Sequence, residues 1–130
     1  MPLRWKSSPL ELMVVCVAEG TVTLDDFIDY LDALEKARAL GYQKIFVAAS
    51  GRSGLTAPDL GILARALAAL NERNRLGAIA IVTGSSGNRK LANVFRTLTS
   101  VDRPVQTFTT IHNARLWLSL QADRPSPSRK

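Results

Sequence analysis

Residues 44–70 constrain the fold of this chain more than any other stretch. They open with Lys44-Ile45-Phe46-Val47-Ala48-Ala49, a short apolar run of strand length. A loop follows, Ser50-Gly51-Arg52-Ser53-Gly54-Leu55. Thr56-Ala57-Pro58-Asp59 then reads as a helix start, with Thr56 as N-cap, Asp59 three residues on and Pro58 in the first turn, where a missing N–H removes no bond. Leu60, Leu63, Ala64, Leu67 and Leu70 follow at helical spacing. Strand, loop and helix start is the unit in which α/β proteins gather loop amides and a positive helix end.

The same alternation runs along the chain. Residues 3–6 read as a short edge strand, and residues 10–18 as a central one that ends at a Glu19-Gly20 turn. Residues 23–40 are the clearest helix. Thr23 and Asp26 form its capping box, Leu24, Phe27, Ile28, Leu31 and Leu34 its apolar stripe, and Gly41 its C′ residue. Asp25, Asp26, Asp29 and Asp32 near its start, with Lys36 and Arg38 near its end, match the helix dipole and read as a solvated face, not a metal site. The helix that begins at Thr56 runs to about residue 74, and residues 77–83 form a buried strand. Leu91, Val94, Phe95 and Leu98 mark a helix, and residues 104–109 a last strand. Thr110 caps a final helix with Ile111, Ala114, Trp117 and Leu118 inward. The predicted fold class is therefore α/β: a single domain with a mixed, mostly parallel sheet of four to five strands and four helices. It spans residues 1–120, and residues 121–130, with Pro125 and Pro127, form a disordered basic tail.

Bulk properties narrow the function classes. No apolar run approaches the ~20 residues of a membrane-spanning helix. No secretory leader is evident, which makes the cytoplasm the expected compartment. Cys16, the only cysteine, reads as a small buried hydrophobe, and with one Cys and one His a Cys/His metal site is not expected. Residues 1–87 carry nine basic and nine acidic side chains, whereas residues 88–130 carry eight and two. That excess would attract an anionic partner, but no nucleic-acid module accompanies it, and a nucleic-acid partner is not expected.

Two loops are candidates for binding. Ser50, Arg52, Ser53 and Thr56 lie before the second helix. Ser85, Ser86, Gly87, Arg89 and Lys90 lie between a strand and a helix, a context suited to an anion, although neither a Walker nor a dinucleotide spacing is present. His112 is the sole histidine and meets no nucleophile elbow, so no hydrolase is indicated. No catalytic residue and no cofactor is assigned.

The succession Glu19-Gly20-Thr21-Val22-Thr23-Leu24-Asp25-Asp26-Phe27, Asp59-Leu60-Gly61-Ile62-Leu63, Ala78-Ile79-Ala80-Ile81-Val82, Leu91-Ala92-Asn93-Val94-Phe95 and Ala114-Arg115-Leu116-Trp117-Leu118 resembles the SpoIIAA-like proteins of the STAS fold. The resemblance implies a non-enzymatic, regulatory protein-interaction module with a protein partner, and it is compatible with a homodimer. Known members are phosphorylated at a Ser or Thr in an Asp-Ser-Ser-Gly-Leu-Gly pattern. The matching positions here are Thr56-Ala57-Pro58-Asp59-Leu60-Gly61, in which both serines are replaced. The usual phosphoswitch is therefore not expected, with Ser50, Ser53 or Thr56 as substitutes by geometry. Two alternatives stand beside this reading. One is a carrier of a small apolar or lipid-like ligand, with room left by Ala64, Ala66, Ala68 and Ala69. The other is a nucleotide-binding regulator that uses residues 84–90.

Overall fold

A computed structural model of the chain describes residues 3–73, 75–83, 97 and 103–123. Five strands form one sheet in the order β1-β2-β3-β4-β5. They are β1 (Leu3–Ser8), β2 (Met13–Val22), β3 (Gln43–Ser53), β4 (Ile79–Val82) and β5 (Val105–Phe108). The expected edge strand is present, and β1 pairs antiparallel with β2. All other pairings are parallel. Three helices can be followed among the described residues: α1 (Leu24–Lys36), α2 (Ala57–Arg73) and α3 (Ile111–Asp123). The four expected helices are thus not matched, because the one carrying Leu91, Val94, Phe95 and Leu98 falls outside the described residues. The last helix runs through residues 121–123, which the sequence assigned to the tail, and residues 124–130 lie outside the described residues.

Alternation along the strands separates two cores. Val14, Cys16 and Ala18 of β2, Phe46 and Ala48 of β3 and Ile79 and Ile81 of β4 meet Phe27, Leu31 and Leu34 of α1 and Leu63, Leu67 and Leu70 of α2. Phe27 and Phe46 stack with ring centroids 5.9 Å apart. On the other face Ile45, Ala80 and Val82 pack with Ala114 and Leu118 of α3. Within the final helix, Ile111 is exposed rather than inward. Trp117 is half-buried, tilted against Phe108 at 5.6 Å between centroids, so it seals an edge of this layer and does not anchor its centre.

Four boundaries differ from the sequence reading. Strands β2 and β3 continue through Glu19-Gly20 and Ser50-Gly51-Arg52-Ser53, where Glu19 to Val22 pair with Ser50 to Ser53. Backbone pairing needs no apolar side chain, so polarity did not end these strands. The step from Val17 to Glu19 on β2 spans three residues on β3, which marks a bulge, and Gly20 takes φ +77 just beyond it. Helix α1 ends earlier than residue 40. Arg38 adopts φ 58, its N–H reaches Glu35 O at 3.0 Å, and Ala39 N–H reaches Leu34 O at 2.8 Å. That pair of bonds is the Schellman closure, with Arg38 in the left-handed position expected of Gly41. At the chain start, Leu10 is 99% exposed because it sits in the turn between β1 and β2 rather than in a strand.

Candidate functional site

The parallel strands β2 and β3 both deliver the chain to a helix N-terminus at the same sheet end. Each helix is capped by the predicted box. In α1, Asp26 N–H donates to Thr23 Oγ1 at 3.4 Å, and Thr23 N–H donates to Asp26 Oδ2 at 2.8 Å. In α2, Asp59 N–H donates to Thr56 Oγ1 at 3.3 Å, and Thr56 N–H donates to Asp59 Oδ2 at 3.0 Å. Gly54 N–H bonds Val22 O at 2.7 Å, and a Cβ there would stand 2.8 Å from Thr21 Cγ2. A larger residue at Gly54 would have to displace the Thr21 side chain and press on Val22 O, 3.2 Å from that Cβ.

This end contains the first candidate set, with one correction. Ser50, Arg52 and Ser53 belong to a strand, not to a loop, and their backbone is held by β2. Thr56 is exposed and serves as the N-cap. Beyond it, Ala57, Pro58, Gly61, Ile62 and Arg65 leave an exposed outer face on α2. Ile62 is a large apolar side chain exposed among small neighbours there. The second set, Ser85, Ser86, Gly87, Arg89 and Lys90, lies outside the described residues.

A different polar cluster was not foreseen. Lys44, at the head of β3, is only 2% exposed. Its ammonium donates to Leu40 O and, at 2.9 Å, to Tyr42 O, which ties down the connection after α1. Burial, with the charge of Arg103 added, pulls its pKa down to about 7. Burial likewise lowers that of Arg103 to about 10. Tyr30 of α1 is 4% exposed and held well above the usual phenol range by burial, with Cys16 adding to the effect. Tyr30, Lys44 and Arg103 all line a cavity of about 20 Å³ walled by Phe27, Leu31, Phe46, Leu63 and Leu67. The sequence held one signal for it: a lysine opening an otherwise apolar strand, at the same parity as the inward Phe46 and Ala48.

Cys16 is buried and its thiol is pushed up to about 12, the opposite of what a nucleophile needs. Ala68 and Ala69 are exposed, so they do not line the cavity proposed for a carrier. Among the described residues no helix is long and apolar enough to cross a membrane.

A profile of the SpoIIAA-like family matches residues 13–119. The chain belongs to the SpoIIAA-like family. Its fold agrees with that of an uncharacterised protein from Shewanella loihica described as having a SpoIIAA-like fold, at TM-score 0.58 and 16% identity, over 89% of this chain and 91% of that one. No curated protein matches the sequence. In this SpoIIAA-like domain the strand order rises without reversal. A doubly wound sheet binds its ligand where the order reverses, and the described sheet contains no such point. Members of the family are typically non-enzymatic interaction modules.

Proposed function

We propose that this SpoIIAA-like domain is a non-enzymatic regulatory module in the cytoplasm. Its protein partner docks on the end of β3 and the start of α2, around Ser50, Arg52, Ser53 and Thr56, and the usual serine phosphoswitch is absent. The observation that carries this reading is the capping box at Thr56. The two positions where the family pattern has serines are Ala57 and Pro58, which bear no hydroxyl. The adjacent Thr56 Oγ1 accepts the Asp59 N–H, and Asp59 returns a carboxylate to the Thr56 N–H. A phosphate on Thr56 would displace that cap and bring its charge beside Asp59. The exposed strip of small residues around Ile62 gives a partner a smooth surface with one apolar anchor. The carrier alternative draws no support from a cavity of about 20 Å³, which is far smaller than an acyl chain.

The test is incubation with an anti-sigma-type kinase encoded beside this gene, followed by peptide mapping. The expected result is no phosphate at residues 50–56, with binding to that kinase lost in Ile62→Glu and kept in Thr56→Ala. The latter should be only about 1 kcal/mol less stable from loss of the cap. Stoichiometric phosphate on Thr56 that releases the partner, with release abolished in Thr56→Ala, overturns the proposal.

A further inference from the structure

The turn between β1 and β2 is made of residues that turns avoid. It consists of Pro9, Leu10, Glu11 and Leu12. Chain reversals favour Gly, Asn, Asp and Ser, which tolerate left-handed backbone or bond their own main chain. Here Leu12 adopts φ 53, a conformation that a bulky side chain takes only under constraint. Both leucines face solvent: Leu10 is 99% exposed and Leu12 57%. The turn is pinned on either side of them, because Glu11 N–H donates to Ser8 Oγ at 3.4 Å and Gln43 N–H donates to Leu12 O at 3.0 Å. A single exposed leucine is ordinary. Two in one four-residue turn, one of them where asparagine or glycine would fit the backbone better, form an apolar tip that the fold itself does not use.

The fold surrounds this tip with cations. Leu12 adjoins the start of β2, and β3 starts beside it, with Met13 paired to Gln43. A helix that links two parallel strands runs back to the end where the strands start, so α1 and α2 both finish at this end. They bring the exposed Lys36, Arg38, Arg73 and Arg75, charges that complement the negative ends of helices. Helix α3 arrives here too: Gln43 Nε2 donates to Leu118 O at 2.7 Å, and Arg115 Nη1 lies 3.9 Å from Met13 Sδ. Leu120, 63% exposed, stands on the same stretch of α3. Past Asp123 the sequence goes on with Arg124, Arg129 and Lys130. Glu11, Glu35 and Glu72 oppose these cations, and Glu35 is paired with Arg73 at 3.0 Å. The acidic first turns, with Asp25, Asp26 and Asp59, lie at the opposite end of the domain, as does Thr56.

We propose that this end of the domain docks on an anionic lipid bilayer, with Leu10 and Leu12 inserted and the basic side chains over the headgroups. The chemistry of the patch selects that occupant. The tip projects, and it offers neither a groove nor a strand edge of the kind that a partner's helix or strand fills. A second copy would bring its own cations against these, and like charges would oppose the contact. A bilayer answers both features, with hydrocarbon for a tip two side chains deep and a negative surface for lysine and arginine. A small apolar anchor alone holds marginally, and the basic patch supplies the second attachment, so binding is reversible and weakens with salt. A domain docked in this way presents its Thr56 end to the solvent. The proposal does not rest on the reading of that end, since it uses neither the far end of β3 nor the start of α2.

The experiment is co-sedimentation of the full chain with vesicles of phosphatidylglycerol mixed with phosphatidylcholine, and with vesicles of phosphatidylcholine alone. The expected result is binding to the anionic vesicles that high salt weakens, with little binding to the neutral ones. Leu10→Ser changes a side chain that the fold leaves 99% exposed, and it should bind the anionic vesicles about tenfold more weakly. Leu10→Trp should bind as the wild type does, and brominated acyl chains should quench its emission beyond any quenching seen in the wild type. No binding to anionic vesicles, equal binding to both kinds, undiminished binding by Leu10→Ser, or no added quenching in Leu10→Trp overturns the proposal. Sedimentation equilibrium without lipid tests the other occupant: a dimer that Leu10→Ser dissolves assigns the tip to a second copy and overturns the proposal as well.

Discussion

Lys44 makes the stability of this domain rise with pH, the same sense as in acid-sensitive proteins, but in a window several pH units higher than a carboxylate would set. Its folded pKa of about 7 lies far below the 10.5 of an exposed lysine. Between those values the unfolded chain holds a proton that the folded chain does not. Unfolding therefore takes up a proton, and stability rises with pH. The full effect would approach about 1.4 kcal/mol per pH unit. Above pH 9 the buried thiol of Cys16, held at about 12 against a usual 9.0, begins to act in the other sense, so the clean window is pH 7 to 9. With the folded lysine half-titrated at the lower end, the gain across that window comes to about 2 kcal/mol. The assay is urea unfolding at pH 7, 8 and 9, where the midpoint should rise by about 1 M for a typical urea dependence. Lys44→Met should abolish the slope, because it removes the titrating group, and should cost about 1–3 kcal/mol through loss of the donor to Leu40 O and Tyr42 O. A flat wild-type profile, or equal slopes in the two proteins, would refute the reasoning.

Two further substitutions test the backbone. A Cβ on Gly77 would overlap the carbonyls of Tyr42 and Gly41, which are backbone atoms with no rotamer to change. Gly77→Ala should cost about 3 kcal/mol in urea unfolding. Arg38→Gly should have the opposite sign and raise stability by about 0.5–1 kcal/mol, since the left-handed φ of 58 is strained for arginine, and glycine's extra freedom in the unfolded chain offsets only part of that gain.

Helix starts were the most legible part of the sequence, because each cap is a local bargain among neighbours. Thr23 with Asp26 and Thr56 with Asp59 close their boxes as the spacing predicts. Asn113 N–H likewise reaches Thr110 Oγ1 at 3.2 Å. Strand ends were less legible, because Ser50 to Ser53 are kept extended by β2, a partner about thirty residues away. The end of α1 depended on which residue accepts a left-handed φ, and the choice fell on Arg38 when a glycine three residues on looked better suited. The cluster of Tyr30, Lys44 and Arg103 lay hidden for a related reason. Tyr30 falls within the helical stripe, Lys44 opens a strand and Arg103 precedes one, so no local pattern joins them. Only the packing of α1 over β3, beside the segment that leads into β5, brings them to one cavity.

The placement of α3 has a consequence for synthesis. Strands β1 to β4 and the helices α1 and α2 complete one face of the sheet from residues 3–82, each strand pairing with the one made just before it. Among the described residues the opposite face, with Ile45, Ala80 and Val82, is covered by α3, which packs on β3, β4 and β5. A ribosome adding about 5–20 residues per second takes roughly 2–6 s to pass from the end of β4 to the start of that helix. During those seconds the apolar patch that α3 will cover has not yet met that helix, which makes this interval one in which a holding chaperone has something to grip.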